Sequence, residues 1–306
     1  MKKSIILSLV LALASTASFA QTPAPADSTA KDTTWTHGGN FSLSISQISL
    51  SNWAAGGESA LSANSELNLF LNMVKEKQTW ENELQLGLGY IREGGGEATF
   101  KKNNDLIILT SNYGRRFNKR WNATANLDFR TQMAQGFAYT EDSLGNEVAT
   151  QTSGFMAPAY LLTAIGVNYS YQKMFSVNLA PATSKLTFVL DPALAGMGLY
   201  GVPVGQNVRS EFGYSVTAKF KKQFTENINF RTSVLMFSDY EGLGVMDVNW
   251  EAFLRFKINK YLSSSISTQL IWDKDIQIPL GDGTVGSAVQ FRSVLNIGLA
   301  VDFWDK

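Results

Sequence analysis

The sequence contains no cysteine and a single histidine, His37. No disulfide frame, thiol nucleophile or Cys-ligated metal is therefore possible. The one imidazole has no nameable partner for base catalysis, so no catalytic residue is assigned. Proline is scarce, at 7 of 306 residues, and charged residues make up 17% of the chain, below the roughly 25% of ordinary soluble domains. Beyond the extreme N-terminus there is no apolar run of about 18 residues, which excludes a helical membrane protein. Lys plus Arg and Asp plus Glu both number 26, so no basic excess points to nucleic acid. Serine, threonine, asparagine, glutamine and glycine fill the gap, and mean hydropathy is only −0.06. Aromatics reach 12%, more than a disordered chain carries.

Residues 1–20 read as a secretory signal peptide. Lys2 and Lys3 form the charged region, residues 5–14 the apolar region, and Ser18, Phe19 and Ala20 a small-residue cleavage site before Gln21. Residues 21–38 are rich in Pro, Ala, Ser, Thr and Asp and are expected to form a flexible periplasmic tail.

From Gly39 onward the hydrophobic period is two rather than 3.6. Leu67, Leu69, Leu71 and Met73 alternate with Glu66, Asn68 and Asn72; Val248, Trp250, Ala252, Leu254 and Phe256 alternate with Asp247, Asn249, Glu251 and Arg255. The pattern predicts twelve strands, near 39–49, 59–74, 79–91, 104–115, 121–134, 158–171, 175–189, 208–221, 228–240, 245–257, 261–275 and 287–304. Short and generally longer connections take turns between them, as an even-stranded up-and-down barrel requires. Aromatics such as Trp80, Trp121, Tyr169 and Phe303 flank the short turns. A second set, Tyr90, Phe129, Tyr160, Phe212, Tyr240, Trp250, Trp272 and Phe291, lies about 9–11 residues along the strands, the span of a transmembrane β-strand between two interfacial girdles. The expectation is an all-β, transmembrane, up-and-down antiparallel barrel over residues 39–304, located in the cell outer membrane and contacting its lipids.

On that reading the polar phase faces the lumen. Its candidate lining residues are Glu66, Glu81, Glu83, Asp128, Arg130, Arg209, Glu211, Arg231, Glu251, Arg255 and Arg292. Both signs occur, which fits either a charged conduit or a mostly filled interior in which opposite charges compensate. The short turns are basic (Lys75, Lys77, Arg115, Arg116, Lys119, Arg120), whereas the longer loops lean acidic. Residues 192–204 form an uncharged, apolar loop, with Leu199 and Tyr200 as candidate mouth or partner contacts. Asp273, Asp275 and Asp282 lack EF-hand spacing, so no metal is assigned; no cofactor motif is present.

Asn52-Trp53-Ala54-Ala55-Gly56-Gly57-Glu58, residues 102–105, Ser111-Asn112-Tyr113-Gly114, Thr131-Gln132, Ala157-Pro158-Ala159-Tyr160 and Phe237-Ser238-Asp239-Tyr240 form a string of motifs along the mature chain. The string resembles a Bacteroidota family of outer-membrane β-barrels classed only as a domain of unknown function. The resemblance implies an outer-membrane location and brings no established activity or ligand. The motif with Trp53, Gly56 and Gly57 reads either as a capping loop over the barrel mouth or as a tight Gly-Gly turn with Trp53 at the interface. Three functions stay open: a pore or transport channel for a small solute, a non-conducting structural or accessory subunit of an envelope complex, and, with least support in the residues, an enzyme or lipid-handling barrel.

Overall fold

The computed structural model describes residues 33–49, 59–94, 99–144, 146–172, 174–242, 244–274, 278–279 and 285–303. The motif carrying Trp53, Gly56 and Gly57, together with Asp275 and Asp282, lies outside the described residues.

Sixteen strands occur among these residues: β1 (Thr33–Ile48), β2 (Ala60–Lys75), β3 (Gln78–Glu93), β4 (Lys101–Arg116), β5 (Trp121–Thr131), β6 (Gly136–Glu141), β7 (Glu147–Ser153), β8 (Ala159–Tyr171), β9 (Phe175–Phe188), β10 (Val208–Thr225), β11 (Ile228–Asp239), β12 (Asp247–Lys257), β13 (Leu262–Trp272), β14 (Ile278–Pro279), β15 (Val285–Gly286) and β16 (Gln290–Phe303). Twelve close into one antiparallel ring, in the order β1-β16-β13-β12-β11-β10-β9-β8-β5-β4-β3-β2. Skipping β6–β7 and β14–β15, every neighbour in the ring is also the sequence neighbour, so the chain goes up and down and closes on itself. Closure pairs the backbone groups that hydrocarbon would leave unsatisfied.

Strand ends agree with the period-two expectation to within a few residues, with three differences, one of them the short β14–β15 pair between the last two expected strands. Strand β1 begins at Thr33 rather than near Gly39, because β2 runs down to Lys75 and offers ladder partners as far as Thr33. Residues 135–157, expected as a loop, contain the β6–β7 hairpin on the long-loop side.

Register sorts the side chains. Phe41, Leu67 and Leu86 occupy one level, as do Ser42, Glu66 and Gly87. The apolar member of each such set is the outward one: Phe41, Leu71, Leu109, Leu179, Phe212 and Leu295 are all exposed. In water this surface would be an aggregation hazard; against acyl chains it is the favoured contact. At the short-turn end Trp121 stacks edge-on with Tyr169 (5.2 Å) and Trp35 with Trp80 (6.4 Å). Arg120 lies 5.3 Å from the Tyr171 ring centre and Lys260 5.3 Å from that of Tyr261. Aromatic body and cationic tip together suit a headgroup boundary. The outward phase is not wholly apolar: Trp80 Nε1 donates to Ser111 Oγ (2.8 Å), and Ser111 Oγ donates to Asn82 Oδ1 (2.8 Å). Each polar group in that row meets another, so none is left bare to lipid.

Tyr160 corrects the second aromatic ring. It pairs with Arg130 and Thr187 and shares their inward phase. Phe237 and Phe253 also face inward, opposite Ser215 and Arg231.

The ladder breaks once where the sequence cannot continue it. Pro181 in β9 has no N–H to donate, and the pairing with both β8 and β10 shifts there. The loose ends are tied by side chains: Tyr240 Oη donates to Pro181 O (2.6 Å), and Thr183 Oγ1 donates to Ala180 O (3.0 Å). Gly166 and Gly213 sit against this bulge. A Cβ at Gly166 would lie 2.2 Å from Leu179 O, and one at Gly213 1.9 Å from Ser238 O. Only glycine lets the backbones approach so closely.

Candidate functional site

The lumen is built by the inward phase of the twelve strands. Glu66 (β2), Glu81 and Glu83 (β3), Asp128 and Arg130 (β5), Arg209 and Glu211 (β10), Arg231 (β11), Glu251 and Arg255 (β12) and Arg292 (β16) all occupy it. They do not form one patch. The structure divides them into a lower set that spans the lumen and an upper set against one wall.

Strands β3 and β11 stand six places apart in the ring of twelve, which is diametrically opposite. Their side chains nonetheless touch: Arg231 Nη1 donates to Glu83 Oε1 at 3.3 Å. Arg130 makes a second crossing. Its Nε donates to Asp128 Oδ1 on its own strand (2.6 Å) and its Nη1 to Glu251 Oε1 (2.5 Å), five places away. A third contact runs from Arg292 Nη1 to Asn104 Oδ1 (2.7 Å), four places round from β16 to β4. Twelve strands spaced about 4.8 Å and tilted roughly 40° would enclose a circle about 24 Å across. An extended arginine, an extended glutamate and the bond between them cover only about 15 Å from Cα to Cα. The barrel section is therefore oval, pinched between β3 and β11.

The crossings differ in cost of opening. Glu83 and Arg231 keep 36% and 47% of their side-chain surface exposed, and an exposed pair is worth only about 0–1 kcal/mol. Asp128 and Arg130 retain 22% and 20% and form a firmer unit. Phe253 sits under the Arg231 guanidinium at 4.7 Å, holding its flat face without fixing its hydrogen bonds. Substituting Arg130 by methionine leaves Asp128 and Glu251 facing each other without their shared cation. Loss of one partner from such a cluster costs about 3 kcal/mol, so R130M is expected to unfold at lower denaturant in detergent than wild type.

Above this level Lys185 (β9) is held by three carboxylates: Asp247 Oδ2 at 2.5 Å, Asp273 Oδ2 at 3.1 Å and Glu211 Oε2 at 3.7 Å. Arg209 Nη2 adds 3.0 Å to Glu211 Oε1. Asp273 is thus an ion-pair partner of Lys185. No group of three or more His, Asp or Glu fit to hold a metal ion occurs among the described residues.

The apolar loop folds over the inward ends of β8–β10. Helix α1 (Pro192–Gly196) starts at Asp191, whose Oδ1 accepts from the backbone N–H of Ala193 (2.9 Å) and Leu194 (3.3 Å). Leu194, Val202, Ala157 and Val189 form a small fully buried core, with Leu199 and Tyr200 against it. The Tyr200 hydroxyl donates to Thr152 O, and Arg209 Nη1 donates to Gly201 O (3.4 Å). Burial pushes the Tyr200 phenol up to about 12. Gln151, whose Nε2 donates to Asp191 Oδ2 (2.9 Å), and the cap amides hold the Asp191 carboxyl below its usual range. That stabilisation is complete above the ordinary carboxylate pKa and is lost as pH falls through the lowered one. Limited proteolysis should therefore begin to cut the 190–207 loop on acidification to below about pH 4, and D191A should show the same cleavage at neutral pH.

On the outer side of the same rim, Lys102, Asp105 and Gln132 act as one knot. Lys102 Nζ donates to Asp105 Oδ2 (2.7 Å), Gln132 Oε1 (3.1 Å) and Ala134 O (2.7 Å), while Asp105 accepts from the backbone N–H of Met133 (2.7 Å) and Ala134 (2.9 Å). Residues that the sequence shows only as separate motifs thus anchor the base of the β6–β7 hairpin. Lys185 and the inward Phe237 and Phe253 were legible only as a lysine in an uncharged run and as aromatics on a polar phase.

A family described as "Protein of unknown function (DUF3078)" matches residues 45–137. No curated protein matches the sequence significantly. Among solved structures, the NanC porin is 7% identical, with 86% of this chain and 98% of that one covered and a TM-score of 0.38. An outer membrane channel from Pseudomonas putida F1 is 11% identical, covering 92% and 100%, with a TM-score of 0.39. The translocator domain of the autotransporter NalP from Neisseria meningitidis is 8% identical, covering 90% of each, with a TM-score of 0.35. The closed ring, its lipid-facing apolar phase and its polar interior are this chain's own, and they make it a twelve-stranded β-barrel of the outer membrane.

Proposed function

We propose that the protein is a narrow, gated conduit for small polar solutes. The single observation that carries this reading is the half-exposed Glu83–Arg231 contact between opposite walls, a crossing that closes the lumen at little cost. A purely structural barrel gains almost nothing from an exposed pair worth about 0–1 kcal/mol. A gate gains a closed state that a solute's own charge or hydrogen bonds can displace. Glu66, Glu83, Arg231 and Arg292 would form the constriction, with Asp128, Arg130 and Glu251 as the fixed frame beside it. Both signs on facing walls favour solutes that carry donors and acceptors together, and no enzymatic step is proposed.

Planar bilayers with purified protein test the reading. Small unitary currents with frequent closures are expected; silence under all voltages, with fixed partners co-purifying, would replace it by the non-conducting accessory subunit. That second reading draws on the folded α1 loop and the β6–β7 hairpin, which present a built surface on the long-loop side. Residues 1–20 would direct export, and the motif string would place the chain in an uncharacterised Bacteroidota barrel family, with Trp53, Gly56 and Gly57 over the mouth.

A further inference from the structure

The seam where the ring closes is unlike the other joints. Strands β1 and β16 pair over only five residues, from Gly39 with Phe303 to Leu43 with Leu299. Every other barrel joint holds ten or more pairs, and β1 with β2 holds sixteen. The short ladder is not for want of strand. Ser44–Ile48 stay extended and pair with β2 on their other edge, and β16 from Gln290 to Gly298 stays paired with β13. In register, Ser44 to Ile48 would meet Gly298 back to Val294, yet no pairing joins them.

Gly298 marks the fork. A Cβ there would lie 2.4 Å from Leu43 O and 2.8 Å from Ser44 Cα, so the backbones still touch at this level. Just beyond it one side-chain bond remains, Ser44 Oγ donating to Asn296 Oδ1 at 3.3 Å. Past that the edges are without a ladder for about five residues, or roughly 16 Å along the strand. Bare polar groups on facing strand edges are costly inside hydrocarbon, and persist only where something polar reaches them.

The two faces of the gap differ. Outward stand Ile45 (64% exposed), Leu295 (66%) and Ile297 (57%). Inward lie Ser42, Ser44, Ser263, Ser265, Asn296 and Gly298, which together with the paired Leu43 and Leu299 line a void of about 10 Å³ at the fork. The inward wall at the fork is thus polar and built largely of small side chains. We propose that this seam is a lateral portal for an amphiphile, a single acyl chain with a small polar head. The chain would lie along Ile45, Leu295 and Ile297 in the bilayer, and the head would enter between the edges to the serine wall, giving the bare N–H and C=O groups a partner.

The absence of cysteine makes the test clean. Single-cysteine variants S46C, in the unpaired stretch, and S42C, opposite Ala300 in the paired one, are labelled with bimane and reconstituted in vesicles. Brominated lipids quench only from the bilayer, iodide only from water. The S46C label is expected to lose emission to both, the S42C label to iodide alone; an S46C label blind to brominated lipid overturns the portal. In the second arm S44C/N296C is bridged by a short bis-thiosulfonate reagent and 11-(dansylamino)undecanoic acid is the probe. Saturable fluorescence gain in the unbridged protein, abolished by bridging and restored by reduction, is the expected result. No gain before bridging, or a gain that bridging leaves unchanged, overturns the amphiphile assignment. Ionic current along the axis should persist in the bridged protein, so a failed portal and a failed conduit give different results.

Discussion

Replacing Arg231 by alanine is expected to raise unitary conductance by roughly threefold or more and to abolish brief closures. The effect is large because one substitution removes both halves of the pinch. The guanidinium that bridges to Glu83 disappears, and so does the bulk held over Phe253. The fold should hardly notice, since the contact is half-exposed and contributes at most about 1 kcal/mol. Glu83→Gln separates charge from bulk. It keeps the length of the side chain while removing its charge, so it should raise open probability with a smaller gain in open-state current. Removing Arg231 also leaves Glu83 without its bonded cation, so the current should shift toward cations. Conductance and reversal potential in asymmetric salt read both changes. Unchanged current in both variants would mean that the resistance lies elsewhere, with the α1 loop the next place to look.

Gly213→Val should largely prevent assembly of the barrel. Its Cβ would fall 1.9 Å from Ser238 O and 2.7 Å from Ser238 C, both backbone atoms of the neighbouring strand. No rotamer relieves a clash at Cβ, so the β10–β11 ladder must part or the bulge at Pro181 must move. Overpacking of this kind costs about 1–3 kcal/mol where the surroundings can yield, and more where they are two paired backbones. Gly196→Val is the control, because a Cβ there meets nothing within 4 Å. Folded yield, followed by the difference in gel mobility between heated and unheated samples, should drop steeply for G213V and hold for G196V. Equal yields would show that β10 and β11 can separate at the bulge without penalty.

Much of the barrel is legible residue by residue. Alternation as regular as that from Leu67 to Met73 or from Asp247 to Phe256 has one economical solution in a membrane: apolar side chains to lipid, polar ones inward, strands closed so that no edge is bare. Exceptions needed more than the local pattern. Tyr160 carries an aromatic ring at the right distance for a girdle, yet its phase is set by pairing with Arg130 and Thr187. Thr33–Gly38 look like tail because little in them seeks burial, yet β2 runs far enough to hold them by backbone bonds, which side-chain composition does not report. The hairpin between β5 and β8 was hidden by its polar residues and shows itself only with the Lys102–Asp105–Gln132 knot beneath it.

The site divides in the same way. That Glu83 and Arg231 face the lumen follows from period two alone, because a strand's phase is a local property. That they meet does not, since 148 positions separate them and only the ring order and its oval section put β3 opposite β11. Nor can a sequence say that β1 and β16 should share five pairs rather than ten: each has residues enough for a full ladder, and the shortfall exists only between them. The amino-acid order by itself determined which atoms want lipid and which want water. The tertiary structure alone decided which charges cancel across the lumen and where the wall stands open, because both depend on distances between strands that no single strand encodes.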